Sequence, residues 1–178
     1  MKVGLEMADM LVKLYALPEV TSVLTDLQKA GLDVRLGHTS EKYIIADWVS
    51  RHFKPEWAVA CEVGLRQSPI TCFIAIEKSE SQGTMRNPYD LPPEVLLGFA
   101  CYDVAAKGVF GPTGVREDYR GRGIGKALLL TCLHAMFKQG YAYAAIGQVG
   151  PTEFYRKAVG ATIIEDSEPG IVRGRLTE

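Results

Sequence analysis

The stretch DYRGRGIGKALLL, from Asp118 to Leu130, sets glycine at 121, 123 and 125, with Arg120, Arg122 and Lys126 among them and a leucine-rich run directly after. Glycine inside a helix costs about 1 kcal/mol relative to alanine, so three of them at a helix threshold mark backbone that something must approach closely. The first N–H groups of a helix have no intrahelical acceptor, and the dipole leaves positive charge there. A glycine turn feeding a helix therefore suits an anion, phosphate above all, and the three cations add to that field. A tight strand-to-helix connection with solvated cations would use some of the same residues. Three glycines and three cations coinciding at one junction favour the anion site.

Two familiar phosphate motifs do not fit. A P-loop needs G-x-x-x-x-G-K-[ST], whereas Gly125-Lys126 is followed by Ala127 and the position five before Gly125 is Arg120. A dinucleotide fingerprint needs G-x-G-x-x-G, but counting from Gly121 and Gly123 the third position is Lys126. Neither an ATP nor an NAD site follows.

The elements that must hold this turn can be read from periodicity. LVKLYALP (Leu11 to Pro18) predicts a short strand and Thr21 to Ala30 a helix closed by Gly31. Residues 1–31 thus form a small extra strand-and-helix unit packed on the main body, residues 32–178. DVRLGH is a strand, followed by a helix capped by Ser40 and running to Phe53 with Ile44, Ile45, Trp48, Val49 and Phe53 as its apolar stripe. Pro55 opens a second helix to about Leu65, and ITCFIAIE (Ile70 to Glu77) is a β-branched strand. Lys78 to Pro93 is a long polar loop, either a surface excursion or a lid over substrate. EVLLGFACYD and KGVFGPTGV form a hairpin, and a helix from Ile124 to about Gln139, with a stripe of Ile124, Leu128, Thr131 and Ala135, ends at Gly140. YAYAAIG is a strand, Pro151 to Ala158 a helix, ATIIE a strand, and PGIVRGRLTE a candidate last strand. An antiparallel hairpin followed by a β-α-β unit predicts an α+β (mixed α/β) class, with a mostly antiparallel twisted sheet and helices on both faces.

Composition limits the partners. At 178 residues the chain is most simply one domain able to bury roughly 70% of its unfolded surface. A formal charge of −1 gives no electrostatic reason to expect nucleic acid, and no apolar run reaches the length of a membrane span or signal peptide. Cys61, Cys72, Cys101 and Cys132 are widely spaced in sequence, without a C-x-x-C pair, and read as reduced buried thiols of a cytoplasmic protein. His38, His52 and His134 show no ligand spacing, so no metal is expected.

The glycine stretch meets one further pattern, R-x-x-G-x-G, as Arg120, Gly123 and Gly125. GVREDYRGRGIGKALL resembles the coenzyme A signature of the GNAT superfamily of N-acetyltransferases, and the element order from about Val34 to Ile164 is similar to that family's, down to EFYRKAVGA near its end. The resemblance implies the GNAT fold, with acetyl-CoA as cosubstrate and a small-molecule or peptide amine as acceptor. It also implies that Thr113, Gly114 and Val115 present their backbone to the pantetheine arm, and that Arg120, Gly121, Arg122, Gly123, Ile124, Gly125 and Lys126 surround the pyrophosphate. In the family the strand carrying the first group splays from the next, and Pro112 and Gly114 suit an edge where no ladder bond is made. Homodimers are common in the family, and nothing in the sequence decides between one and a monomer.

Tyr155 stands at the family's F-Y position, which implies a general acid for the departing thiolate; a packed aromatic is the structural alternative. Gly160 follows it by five residues rather than the usual four. Gln148, seven before the tyrosine, stands where relatives carry an asparagine that contacts the cofactor, with the same donor and acceptor set. Neither KGVFGPTGV nor YAYAAIG holds a carboxylate base, which leaves Glu62, Asp103 or Asp90, a water relay, or an amine that arrives neutral. The missing base keeps a second function open, a CoA-binding sensor or interaction module with little or no transferase activity.

Overall fold

A computed structural model of the chain describes residues 7–78 and 94–171. β1 (Met10–Lys13) alternates inward Met10 and Val12 with outward Leu11 and Lys13. The strand predicted to reach Pro18 stops at Lys13, because a 3-10 turn at Leu14–Ala16 drives Leu14 into the core. α1 (Thr21–Lys29) and β2 (Leu32–Leu36) follow. Ser40 does not cap α2 (Lys42–His52): it lies inside a 3-10 turn, Thr39–Glu41, closed by a reciprocal capping box between His38 and Glu41. α2 turns Ile45, Ala46, Trp48 and Val49 inward. Ile44, expected in that stripe, is 71% exposed, since a single residue step rotates it 100° off the buried face. α3 (Pro55–Arg66) starts on its proline as predicted, and Lys78 extends β3 (Cys72–Lys78) rather than opening the loop.

β4 (Glu94–Tyr102) and β5 (Val109–Val115) pair antiparallel, as expected of the hairpin. α4 (Ile124–Lys138), β6 (Tyr143–Ile146), α5 (Thr152–Val159) and β7 (Thr162–Ile163) complete the described chain. The expected loop at 79–93, Asp90 with it, and the candidate final strand beyond 171 lie outside the described residues.

The seven strands form one sheet in the order β2-β3-β4-β5-β6-β1-β7, antiparallel everywhere except between β5 and β6. A parallel pair needs a crossover, and α4 supplies it. The predicted α+β class with a mostly antiparallel sheet holds. β1 pairs antiparallel with β6 on one side and β7 on the other, so the N-terminal segment contributes an internal strand. No described helix is long and apolar enough to cross a membrane.

Two cores flank the sheet. On one face α1, α4 and α5 pack through Leu27, Leu128, Leu129, Leu133 and Ala158 onto Leu97, Ala100 and Ile146. On the other, α2 and α3 pack through Trp48, Val49, Ala58 and Leu65 onto Ile74, Ile76 and Phe99. Gly98 to Tyr102 of β4 are buried without alternation, as a strand covered on both faces must be. α4 is likewise buried around most of its circumference, from Ala127 to Leu130 and at Cys132, Leu133 and Met136, rather than along the single predicted stripe.

The β4–β5 turn is held by Asp103. Its side chain is 1% exposed. Oδ1 accepts the Gly108 N–H at 2.7 Å and Oδ2 the Tyr141 hydroxyl at 2.7 Å, with Lys107 Nζ at 3.4 Å. Asp103→Ala leaves two donors without an acceptor and is expected to lower stability by about 2–3 kcal/mol, with Asp103→Asn losing less. Urea unfolding of the three proteins tests this.

Candidate functional site

The site begins where β5 leaves β6. β5 pairs with β4 as far as Val115, but with β6 only at Val109↔Ala145 and Phe110↔Ile146. From Gly111 onward, the β6-facing edge of β5 has no strand partner among the described residues. The sequence makes this parting cheap: Pro112 has no N–H to leave unpaired, and Gly111 carries a φ of +118° that a side chain would resist. Thr113 turns its hydroxyl away from the gap to donate to Phe99 O at 3.0 Å. Gly114 is required by contact, since a Cβ there would lie 2.6 Å from the Phe53 ring. That ring is fixed among Trp48, Trp57 and Phe99 at centroid distances of 5.8, 5.7 and 5.5 Å, against Gly114 on the α2/α3 side of β5.

The glycine turn lies beyond Val115. A 3-10 turn at Glu117–Tyr119 leads to Gly121 (φ +77°) and Gly123 (φ +85°), left-handed positions where a Cβ would meet nothing within 4 Å. The open space there shows that these glycines serve backbone conformation and access rather than close packing. Ala127 is the first residue of the turn and helix to donate an N–H to the chain, to Gly123 O at 3.0 Å. The N–H groups from Gly121 to Lys126 have no acceptor among the described residues, so the helix opens with a continuous run of free donors. Ile124, buried, anchors the helix end, while Gly121, Arg122, Gly123 and Lys126 are exposed.

Side chains brace this loop. Tyr119 donates its hydroxyl to Glu77 Oε2 at 2.7 Å, tying the loop to β3, and its ring is sandwiched by the Arg116 and Arg122 guanidinium groups at 4.4 and 4.5 Å. Arg120 Nε donates to Val115 O at 3.2 Å. Arg120 and Arg122 therefore shape the loop as well as charge it, and Lys126 has no ion pair among the described residues. A cleft of about 510 Å³ runs beside the loop, between Arg51, His52 and Phe53 at the end of α2 and Arg116 to Asp118 with Arg120.

Tyr155 lies on the opposite face. Its ring is 6.5 Å from Phe110, the last β5 residue before the strands part, and 5.0 Å from Phe154. Phe154 in turn reaches the α4 threshold, 3.9 Å from where a Gly125 Cβ would stand. Tyr155 is 7% exposed, and burial pushes its hydroxyl up to about 12, so it is a protonated donor at neutral pH.

Gln148 is held elsewhere than the loop. Its backbone takes φ +47°, its N–H donates to Asp9 Oδ1 at 2.9 Å, and its amide donates to Pro169 O at 3.3 Å. Glu62 lies on α3 between Lys42 (3.8 Å) and Arg66 (3.6 Å), and Asp103 is committed to the β4–β5 turn, so neither carboxylate reaches the gap. His38 caps a turn, His52 Nδ1 lies 2.9 Å from Trp48 O, and His134 Nε2 lies 2.9 Å from Pro18 O.

The cysteines are less scattered than their spacing suggests. Cys61, Cys72 and Cys101 bring their sulfurs within 4.8 Å of one another inside the α2/α3 core. All three are fully buried and no histidine or carboxylate joins them among the described residues, so the cluster is not a clear metal site. Sequence reasoning also missed Phe53, Phe154 and the Tyr119–Glu77 brace, which only the packing of distant elements reveals.

The Tyr155 environment gives a pH test. In the unfolded chain a tyrosine titrates near 10, and in the folded chain Tyr155 holds its proton to about 12. Its contribution is thus fully present below pH 10 and lost as the pH rises to 12. Between those limits Tyr155→Phe is expected to flatten the fall in stability, by on the order of 2 kcal/mol, as measured by urea unfolding against pH.

The profile of the Acetyltransferase (GNAT) family matches residues 43–161. No curated protein matches the chain significantly. Among solved structures, a GCN5-related N-acetyltransferase from Sphaerobacter thermophilus superposes over 88% of the chain with a TM-score of 0.62 at 21% identity. The GCN5-related glucosamine N-acetyltransferase region of a fungal multi-domain GH3 beta-N-acetylglucosaminidase does so with a TM-score of 0.65 at 13% identity, again over 88% of the chain. A GCN5-related N-acetyltransferase from Kribbella flavida gives 0.53 at 15% identity over the same share. The chain spans 48%, 19% and 53% of those three chains respectively, and at such identities they share its fold. With the profile covering two-thirds of its length and the parted strands and glycine turn inside that range, the chain belongs to the GNAT acetyltransferase family.

Proposed function

We propose that the protein is an acetyl-CoA-dependent N-acetyltransferase acting on a primary amine of a small molecule or peptide. The observation that carries this reading is the combination of an unpaired β5 edge with the six free N–H groups that follow it. A pyrophosphate needs convergent donors and no Cβ in its way, which the Gly121 to Lys126 turn offers, with Lys126 for added charge. The pantetheine arm carries amides of its own, and the edge from Thr113 to Val115 can pair with them as an absent strand would. ATP would compete for the donors but has no arm to fill the edge.

Bound acetyl-CoA supplies an activated acyl group, and the chain's own part is to orient, polarise and protonate. A backbone N–H on the β5 edge stabilises the negative charge that develops on the thioester oxygen as the amine attacks. Tyr155, a protonated phenol at neutral pH beside Phe110, gives its proton to the thiolate that leaves. No aspartate or glutamate lies between 109 and 115 or between 141 and 148. This leaves an acceptor that arrives as a neutral amine, one that loses its proton through water, or Asp90, outside the described residues, as the base. That same absence favours one second reading, a CoA-binding module with little turnover.

Two variants test the assignment. Gly123→Glu puts a carboxylate and a strained side chain where the phosphates are expected. It should abolish acetyl-CoA binding by calorimetry, whereas binding equal to wild type would refute the site. Tyr155→Phe should bind acetyl-CoA normally and lower kcat about 100-fold or more, read as free thiol released across a panel of amines. Wild-type binding without thiol release on any amine would favour the module.

A further inference from the structure

We infer that Asp9 is a positioning residue for the β6 side of the gap, and that the N-terminal strand is thereby part of the machinery; the inference rests on the acetyl-CoA reading above. Asp9 lies outside the stretch matched by the family profile, immediately before β1, and is only 7% exposed. A carboxylate is costly to bury, and here it is met by a main-chain donor. Its Oδ1 accepts the N–H of Gln148 at 2.9 Å. The neighbouring Ala8 carbonyl accepts the Val149 N–H at 3.1 Å. Gln148 follows Ile146, the last β6 residue paired with β5, by two positions, so these bonds fix the rim of β6 where the strands begin to part.

The rim needs such a clamp. Gln148 holds a left-handed backbone, φ +47°, that a residue with a Cβ adopts only when its surroundings impose it. The 164–170 segment closes over the same residue. Asp9 N donates to Ser167 Oγ at 2.8 Å, Asp9 O accepts from Ile164 N at 2.9 Å, and a Cβ on Gly170 would come within 2.9 Å of Oδ1. Asp9 thus sits where three segments meet, with its charge directed at the one that borders the gap. Removing the carboxylate frees the Gly147–Gln148 peptide to rotate and misplaces one wall of the cofactor site, while β5 and the glycine turn stay as they are.

Calorimetric titration with CoA, on proteins verified as folded by circular dichroism, tests this. Asp9→Ala is expected to raise Kd about tenfold, a loss typical of a misplaced binding wall. Asp9→Asn keeps an acceptor oxygen at the same place and should stay within about twofold of wild type, and Ser167→Ala, which loosens the same junction but leaves the Gln148 bond, should do the same. If Asp9→Ala does not fold, Asp9→Ser, whose hydroxyl is too short to reach Gln148, takes its place with the same expectation. Wild-type affinity in the truncated variant, or equal weakening by Ser167→Ala, would overturn the role of Asp9 alone. Failure of the wild-type protein to bind CoA would instead overturn the acetyl-CoA reading, and this inference with it.

Discussion

β5 must be a strand on one edge and a solvent-facing ledge on the other, and much of the molecule answers to that requirement. Its ladder with β4 is kept to Val115, while its ladder with β6 ends after Phe110. An abandoned ladder ordinarily leaves donors and acceptors unpaired, a burden that Pro112, with no N–H, reduces. The parallel relation of β5 and β6 forces a crossover helix, so α4 begins at the end of the ledge with its own donors unpaired. Ledge and turn are consecutive in the chain and open into the same gap. A ligand with a hydrogen-bonding arm and a phosphate end satisfies both at once.

Two buried aspartates keep this arrangement fixed, one at each end of the β5–β6 region. Asp103 closes the paired end, where its carboxylate takes the Gly108 N–H and the Tyr141 hydroxyl. Asp9 holds the parted end through the Gln148 N–H. Each carboxylate accepts a main-chain N–H in a turn, and Asp103 has the Lys107 ammonium 3.4 Å away as well. Phe53 does the corresponding work for the face, filling the space over Gly114 that any side chain on β5 would contest. The N-terminal segment accordingly completes the sheet between β6 and β7 and reaches the edge of the gap.

What could be read from the sequence was local. The glycine turn, the cations around it, the proline in β5 and the helix that follows are contiguous, and each has a short-range physical reason to occur where it does. The class of fold followed from element order. The insertion of β1 into the sheet was not legible, because a four-residue strand carries no signal of its partner, which lies more than a hundred residues away. Ser40 looked like a cap, yet it falls inside the 3-10 turn before α2, where the Glu41 carboxylate accepts the His38 N–H. Phe53 read as the end of a helical stripe, and only the folded chain shows it pressed on Gly114. Cys61, Cys72 and Cys101 come from α3, β3 and β4, and sequence spacing says nothing of such a convergence.

The central claim is that the β5 edge and the α4 threshold together form one continuous site for a phosphate-bearing arm. Amide proton–nitrogen spectra recorded during titration with CoA, and in parallel with ATP, test it most directly. Saturable shifts are expected at Thr113, Gly114, Val115 and throughout Gly121 to Lys126 with CoA, while ATP shifts the glycine turn alone and the Asp103 to Gly108 turn stays unmoved. CoA shifts that leave the β5 edge untouched, or identical shifts with ATP along both segments, would contradict the account.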